Sequence, residues 1–268
     1  MEYPLGHGDA ELDRLIKQSQ FFGVLTEQVL RLAGVAAGMT VLDVGCGAGD
    51  VSFLAASLVG AGGHVIGVDR SADAIALARR RAAATGVANV EFRVADLATF
   101  ALEHRVDAVI GRLVLMYFAD PVAQLRQLVE LVRSGGLIVF QEMHVRGGGS
   151  EPRCELWELA IRRVDDAFRR AGADPSLASK LARVFVDAGL PRPDMLLGAR
   201  VDHGAPAASY GALTEITRTL LPVMERTGIA TAHEIEIDTL AMRLRDEALA
   251  HRATVFAPPL VGAWARRA

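Results

Sequence analysis

The chain has 268 residues, 51% hydrophobic and 23% charged, a balance typical of a folded globular protein rather than a disordered chain. Its formal net charge of −3 argues against a general nucleic-acid binder, because such proteins concentrate an excess of lysine and arginine on one face. Its apolar stretches are too short to span a bilayer, and residues 1–13 lack the basic and apolar regions of a signal peptide, so we expect a cytoplasmic protein.

The first part of the chain alternates between strand and helix patterns. Residues 11–32 have the apolar spacing of an amphipathic helix. The short apolar runs that follow predict buried parallel strands. These runs are residues 41–44, 64–68, 90–94, 106–110 and 137–141, with helical patterns at residues 51–59, 72–84 and 122–132. The alternation predicts right-handed βαβ units, and therefore an α/β fold with a doubly wound, mostly parallel sheet.

The pattern changes after the glycines at 147–149, which we interpret as a flexible break. Residues 195–201 and 254–256 predict two strands, separated by a mostly helical insertion in which Pro222 is expected to kink or end a helix. The predicted divisions are an N-terminal helical segment that covers the site (1–34), a cofactor-binding core (35–204), a helical lid (205–250) and a final strand with its tail (251–268).

A glycine-rich turn joins the first predicted strand to the next helix. Gly45, Gly47 and Gly49 alternate there, and glycines are needed where the backbone turns sharply against a ligand. Asp69 ends the second strand, twenty residues after Gly49, where an acid can accept hydrogen bonds from the ribose hydroxyls of an adenosine. The pair of features indicates a cofactor that contains adenosine.

Two acidic residues favour one class of adenosine cofactor. Asp50 stands at the start of the helix, where a dinucleotide would place its pyrophosphate. Its carboxylate would repel that anion, and Asp43 adds a second negative charge nearby. S-adenosylmethionine carries a cationic sulfonium and an ammonium group, so the charges favour this methyl donor over NAD.

Several segments resemble class I S-adenosylmethionine-dependent methyltransferases of the small-molecule type. The matching segments are residues 43–49 (first motif), 65–69 (second strand), 90–97 (third strand), 115–121 (after the fourth strand) and 132–138 (turn into the fifth strand). The family often has histidines where this chain has Met116 and Tyr117. The resemblance implies a Rossmann-like, seven-stranded sheet ending in an antiparallel pair, which residues 195–201 and 254–256 would supply.

The residues expected to bind the cofactor lie on these motifs. They are Asp43, Gly45, Cys46, Gly47, Gly49, Asp69, Arg70, Asp96, Leu97, Gly111 and Arg112. The resemblance implies that Asp96 contacts the adenine amino group. Arg112 is predicted to hold either the carboxylate of the donor or an acidic acceptor, with a surface salt bridge as the alternative. Cys46 is expected to be a small packing residue, and the arginines at 79–81 are expected to form a solvated helix face.

The catalytic candidates are Glu142 and His144, at the carboxyl end of the fifth strand. Open α/β sheets bind ligands at that edge, and a histidine can accept a proton near physiological pH. The alternative is that both are ordinary polar residues at a strand end. The seven histidines and two cysteines lack the spacing of metal ligands, so no metal is predicted.

The sequence therefore predicts methyl transfer from S-adenosylmethionine to a small, partly apolar acceptor at oxygen, nitrogen or carbon, with S-adenosylhomocysteine as the product. Such an enzyme is typical of biosynthetic or secondary metabolism and needs neither a nucleic acid nor a membrane as partner. We expect a monomer or a homodimer. The alternatives are a cyclase or binding protein on the same scaffold, or an NAD-dependent oxidoreductase.

Overall fold

The computed structural model describes the backbone of residues 9–268 and the side chains of residues 21–268. The N-terminal part contains α1 (Asp9–Ala33), β1 (Thr40–Val44), α2 (Asp50–Val59), β2 (His64–Asp69), α3 (Ala72–Thr85), β3 (Val90–Val94), β4 (Val106–Arg112), α4 (Pro121–Val129) and β5 (Val132–Met143). It is followed by β6 (Gly149–Glu151), α5 (Glu155–Arg170), α6 (Leu181–Asp187), β7 (Asp194–Gly198), β8 (Val201–His203), α7 (Ala208–Arg226), α8 (Ala232–Ile235), α9 (Leu240–Ala250), β9 (Thr254–Phe256) and β10 (Leu260–Arg266).

The main sheet has seven strands in the order β3-β2-β1-β4-β5-β10-β7. The first five are parallel, while β10 runs antiparallel to both β5 and β7. The neighbours of β1 are β2 and β4, so the chain winds outward from β1 in both directions. This confirms the predicted doubly wound, mostly parallel α/β sheet, and it places the topological switch point, where such sheets bind ligands, between β1 and β4.

Both faces of the inner strands β1, β2, β4 and β5 are covered, which explains their apolar runs. In the edge strand β3 only Phe92 is buried, so the prediction of a buried strand at residues 90–94 was wrong in this respect. Val41 and Val65 belong to a cluster that includes residues of α1 and α2. The next residues along the strands, Leu42 and Ile66, belong to a larger cluster that includes residues of α4, α5 and α6. Successive side chains of a strand thus enter opposite layers of the core.

The last strands differ from the prediction. Residues 195–201 contain parts of two strands, β7 in the main sheet and β8 in a separate three-stranded sheet of order β6-β9-β8. Residues 254–256 form β9 in that small sheet, so their predicted place in the main sheet was wrong.

The final main-sheet strand is β10, beyond Pro258 and Pro259. Gly262 and the neighbouring alanines are uncommon in strands, so the sequence pattern did not reveal β10. Glycine is needed at this position because a Cβ at Gly262 would lie 2.6 Å from Cγ2 of Val29 in α1.

The structure overturns the predicted flexible break at residues 147–149 and the predicted helix end at Pro222, while the alternative of a kink at Pro222 stays a prediction. The glycines at 147–149 are not a flexible break, since a Cβ at Gly147 would lie 2.7 Å from His144 Cδ2 and one at Gly148 would lie 2.9 Å from Pro258 N. Glycine is needed at these two positions because neighbouring atoms lie too close to leave room for a side chain. Helix α7 does not end at Pro222, which lies inside it, but continues to Arg226.

The helical insertion comprises α7, α8 and α9, between β8 and β9. Glu247 of α9 accepts hydrogen bonds from the backbone N–H groups of Leu156 (3.1 Å) and Trp157 (3.4 Å). Because the first N–H groups of a helix have no partner within it, Glu247 satisfies the start of α5 and ties the insertion to that helix. Of the helices in the described residues, none combines the length and apolarity needed to cross a membrane.

Candidate cofactor and acceptor site

A cavity of about 990 Å³ opens at the carboxyl ends of β1, β2 and β4. One part is lined by the turn after β1 and by polar residues at the strand ends, and the rest is lined mainly by apolar side chains of α1, α5 and α7. The two parts are continuous, so a cofactor and a second molecule can lie side by side in it.

The glycine turn has the geometry that a close-lying ligand requires. Gly45, Gly47 and Gly49 have φ values of 64°, 53° and 88°, in the left-handed region that side chains disfavour. A Cβ at Gly45 would lie 2.5 Å from Val114 Cγ2, and one at Gly49 would lie 2.7 Å from Phe92 Cζ. The backbone conformation therefore favours glycine at all three positions.

Asp69 is held at the edge of this turn. Its Oδ2 accepts a hydrogen bond from Gly47 N and its Oδ1 accepts one from Ser71 N, both at 2.9 Å. Each carboxylate oxygen can accept more than one hydrogen bond, so capacity remains for hydroxyls in the cavity that Asp69 lines. This is the placement expected of a ribose-binding acid.

Asp43 and Arg112 bring opposite charges to the floor of the cavity. Asp43 is buried and accepts a 2.5 Å hydrogen bond from the Ser52 hydroxyl. Burial raises the pKa of Asp43 to about 7, although the Ser52 hydrogen bond and Arg112 oppose the rise. Arg112 donates to Thr26 Oγ1 of α1 at 3.1 Å, and burial lowers the pKa of its guanidinium despite the opposing charges of Asp50 and Asp43. Arg112 is thus an interior cation, and the alternative of a surface salt bridge was wrong.

Asp50 lies at the start of α2, lines the cavity and forms a 2.7 Å ion pair with Arg81 of α3. Arg81 also donates to the carbonyl of Ala48, and Arg79 donates twice to the carbonyl of Phe92. Arg79 and Arg80 are exposed, as expected of a solvated helix face, and the expectation was wrong only for Arg81, which is half-buried. The partners of Arg79 and Arg81 lie on other elements, which the local sequence does not reveal.

The loop after β3 contributes the predicted Asp96 and Leu97 to the same cavity, and Arg70 lines it from beyond β2. Asp96 is exposed, and its Oδ1 accepts a hydrogen bond from Ala98 N at 2.9 Å. Cys46 also lines the cavity. Burial raises the pKa of its thiol well above the usual value, as expected of a packing residue rather than a nucleophile.

Two predicted cofactor-binding residues are not among those that line the cavity: Gly49, at the end of the glycine turn, and Gly111. Gly111 lies within β4, where a Cβ would be 2.6 Å from Phe140 Cε1. Glycine at this position makes room for the packing of Phe140 between adjacent strands. Its neighbour Arg112 does reach the cavity.

Glu142 is not among the residues that line the cavity. Its side chain is fully buried, and Oε1 accepts hydrogen bonds from the backbone N–H groups of Val114 (3.1 Å) and Leu115 (2.8 Å). Burial raises the pKa of Glu142 to about 8. Leu113, just before these residues, has a left-handed φ of 57°. Glu142 therefore supports a strained loop of the cavity wall from behind, contrary to its predicted contact with substrate.

His144 is also absent from the cavity wall, which its neighbours Met143 and Val145 do line. Its backbone N–H donates to Pro259 O at 3.0 Å, and its ring packs near Gly147. The ring Nδ1 is buried without a hydrogen-bond partner in the described residues. This placement does not support the predicted role as a general base.

We accordingly expect His144→Asn to leave the rate of methyl transfer nearly unchanged, because the ring does not face the cavity. Loss of a true general base would lower the rate by roughly 10²–10⁴-fold. The measurement is the turnover of both proteins with the identified acceptor, with melting temperature as the check on folding. A rate loss of that size in a protein with unchanged melting temperature would restore His144 to the mechanism.

The wall opposite the glycine turn was only partly predictable. Apolar lining comes from Phe21 and Phe22 of α1, Leu113, Met116, Tyr117 and Phe118 after β4, Trp157, Ile161, Val164 and Phe168 of α5, and Leu213 and Ile216 of α7. The helical spacing predicted apolar stripes on α5 and α7 but not which members face a cavity. In the predicted stripe of α7, Leu220 and Met224 are fully buried core residues instead.

Two charged side chains, Arg200 and Glu215, interrupt this apolar wall. The Nε of Arg200 donates to Asp202 at 3.0 Å, and its guanidinium lies 5.5 Å from the ring centre of Phe21. Glu215 lies on the same face of α7 as Ala208, Ala212 and Ile216. Neither Arg200 nor Glu215 belongs to a sequence motif that would mark it as a site residue. Across residues 21–268, no group of three or more histidine, cysteine or acidic side chains is arranged to hold a metal ion.

Comparison with known proteins identifies the family. Residues 36–172, about half of the chain, match the family described as Methyltransferase domain. The chain belongs to this family. The glycine turn, Asp69 and Asp96 lie inside the matched residues, whereas α1 and α7 lie outside them. The cofactor side of the cavity therefore lies in the part of the chain that matches the family.

Individual relatives agree with the family assignment. The chain is 31% identical over 195 residues to nocamycin O-methyltransferase of Saccharothrix syringae, covering 72% of this chain and 64% of that protein. It is 32% identical over 130 residues to aklanonic acid methyltransferase DauC of a Streptomyces species, covering 48% of this chain and 59% of that protein. The chain thus spans less than two thirds of the length of these relatives.

The fold is shared with the solved structure of YcgJ from Bacillus subtilis. The TM-score is 0.59 over 92% of this chain and 98% of that chain, at 17% sequence identity. A likeness at this identity concerns the fold alone. It agrees with the seven-stranded sheet described above.

Proposed function

We propose that this protein transfers a methyl group from S-adenosylmethionine to a small, partly apolar acceptor. The observation that carries the proposal is the single cavity, in which the glycine turn and Asp69 at one end continue into an apolar chamber at the other. Such a cavity can align two molecules for reaction, and alignment is a large part of what a direct displacement needs.

The polar end of the cavity fits a cationic, adenosine-containing cofactor. Asp69 and Asp96 are available for the ribose and adenine, Asp43 for the ammonium group, and Arg112 for the carboxylate of the methionine part. When bound, S-adenosylmethionine supplies a methyl group activated by a positively charged sulfur. The Asp50–Arg81 ion pair occupies the start of α2, where a dinucleotide would need to place its pyrophosphate, and this supports the methyl donor over NAD.

The apolar end fits the acceptor. Its aromatic and aliphatic walls would exclude water around the reacting atoms and hold the acceptor against the methyl donor. We propose that α1 and the first half of α7 form the cover of this chamber. Of the insertion, only residues of α7 line the cavity, so the proposed lid is smaller than residues 205–250.

The names of the two relatives support a small-molecule acceptor, since one is named for nocamycin and the other for aklanonic acid. We further propose a cytoplasmic protein that acts as a monomer or homodimer without nucleic acid. Support comes from its two cysteines, both free and buried, and from its net charge of −3.

The test is a reaction with S-adenosylmethionine and a small-molecule extract of the source cells, analysed by mass spectrometry. We expect S-adenosylhomocysteine to form together with a compound one CH₂ unit heavier than its precursor. A product of unchanged mass with the donor intact would indicate a cyclase or binding role, and reduction of added NAD would indicate an oxidoreductase. Either result would overturn the proposal.

A further inference from the structure

Glu215 is a charged side chain in a largely apolar part of the cavity and has no partner among the side chains of residues 21–268. It lies on the cavity-facing side of α7 and is half-buried. Within residues 21–268, its carboxylate makes no hydrogen bond or ion pair, and only its backbone carbonyl is engaged, by the Thr219 hydroxyl. A partly buried carboxylate loses hydration, and this is unfavourable unless another group replaces the water.

Several other charges around the cavity have partners among the described residues. Arg200, the other charge in the apolar wall, is paired with Asp202. On the cofactor side, Asp43 is bonded to Ser52, Asp50 is paired with Arg81, and Asp69 accepts two backbone N–H groups. Among the side chains of residues 21–268, Glu215 is therefore the negative charge of the acceptor chamber that has no partner.

We propose that Glu215 binds the acceptor through a hydrogen-bond donor, so that the acceptor is a small apolar molecule with a hydroxyl or protonated amine group. A carboxylate or phosphate group would meet like charge at this position and is disfavoured. The proposal rests on the proposed function, because it assigns the apolar chamber to the acceptor. It makes Glu215 a determinant of acceptor specificity that leaves cofactor binding unaffected.

The test is binding of three matched probes to protein saturated with S-adenosylhomocysteine, measured by calorimetry. The probes are octylamine, 1-octanol and octanoate, which share a chain and differ in the head group. We expect the wild-type protein to bind the amine or the alcohol at least about tenfold more tightly than octanoate. Glu215→Gln should weaken the preferred probe by about 10–100-fold and reduce the discrimination against octanoate.

Glu103→Gln is the matched control, because Glu103 is exposed and absent from the cavity wall. It should retain the wild-type preference, and both variants should bind S-adenosylhomocysteine as the wild type does.

Loss of amine binding alone would identify an amine acceptor, and loss of alcohol binding alone would identify a hydroxyl acceptor. Equal or tighter binding of octanoate by the wild type, or an unchanged preference in Glu215→Gln, would overturn the proposal. Failure of the wild type to bind S-adenosylhomocysteine would instead overturn the proposed function.

Discussion

Asp69→Ala is expected to weaken binding of S-adenosylhomocysteine by about 100-fold or more. The substitution removes the proposed acceptor of two ribose hydroxyls, and charge-assisted hydrogen bonds of this kind contribute about 1.5–3 kcal/mol each. It also releases Gly47 N and Ser71 N, which Asp69 holds at 2.9 Å. The glycine turn and the start of α3 thus lose a shared anchor, and this adds to the loss of direct contacts.

Calorimetry on the wild-type protein, Asp69→Ala and Asp69→Asn checks this expectation. Asn keeps one carbonyl oxygen but not the charge, so its affinity should be intermediate. Asp73→Ala is a suitable control, since Asp73 is exposed on α3 and does not line the cavity. Undiminished affinity in Asp69→Ala, or binding of NAD by the wild type, would contradict the assigned cofactor site.

Glu142→Gln is expected to change how stability depends on pH. Burial raises the pKa of Glu142 from 4.5 to about 8, so the folded protein keeps a proton that the unfolded chain releases between these values. Stability from this group is complete below the unfolded pKa and is lost as pH rises toward the folded pKa. At 1.36 kcal/mol per pH unit, the loss from Glu142 is roughly 3 kcal/mol between pH 4.5 and pH 7.

The variant should lack this loss, because glutamine does not titrate and its carbonyl can still accept the N–H groups of Val114 and Leu115. Its amide nitrogen would lie where Oε2 is buried without a partner in the described residues, and that cost does not vary with pH. Urea unfolding of both proteins at about pH 5 and pH 8 measures the effect. We expect the difference in free energy of unfolding to move in favour of Glu142→Gln as pH rises.

Asp43 has a similarly raised pKa of about 7, and its contribution also falls as pH rises. Because both proteins contain Asp43, its effect cancels in the difference between them. Parallel stability curves for the two proteins would show that Glu142 keeps an ordinary pKa in the folded state. The interpretation of Glu142 as a neutral support of the loop at Leu113 would then be wrong.

The cofactor side of the site was predictable because its signals are local. Gly45, Gly47 and Gly49 are required by the backbone of one turn, and Asp69 follows at the end of the adjacent strand. The acceptor side was not predictable to the same degree. An apolar residue of α7 that lines a cavity, such as Leu213, has the same helical spacing as Leu220, which is core.

The amino-acid sequence was sufficient for the inner parallel strands and the glycine turn, because burial on both faces of those strands and positive φ values in the turn impose residue types over a few positions. The three-dimensional structure was needed for the ion pair of Asp50 with Arg81, for the inward turn of Glu142 and for β10. Each depends on how distant elements meet: α3 approaches the start of α2, the loop after β4 crosses β5, and α1 packs closely on Gly262. Such contacts are set by the positions of whole helices and strands, which no short stretch of sequence specifies.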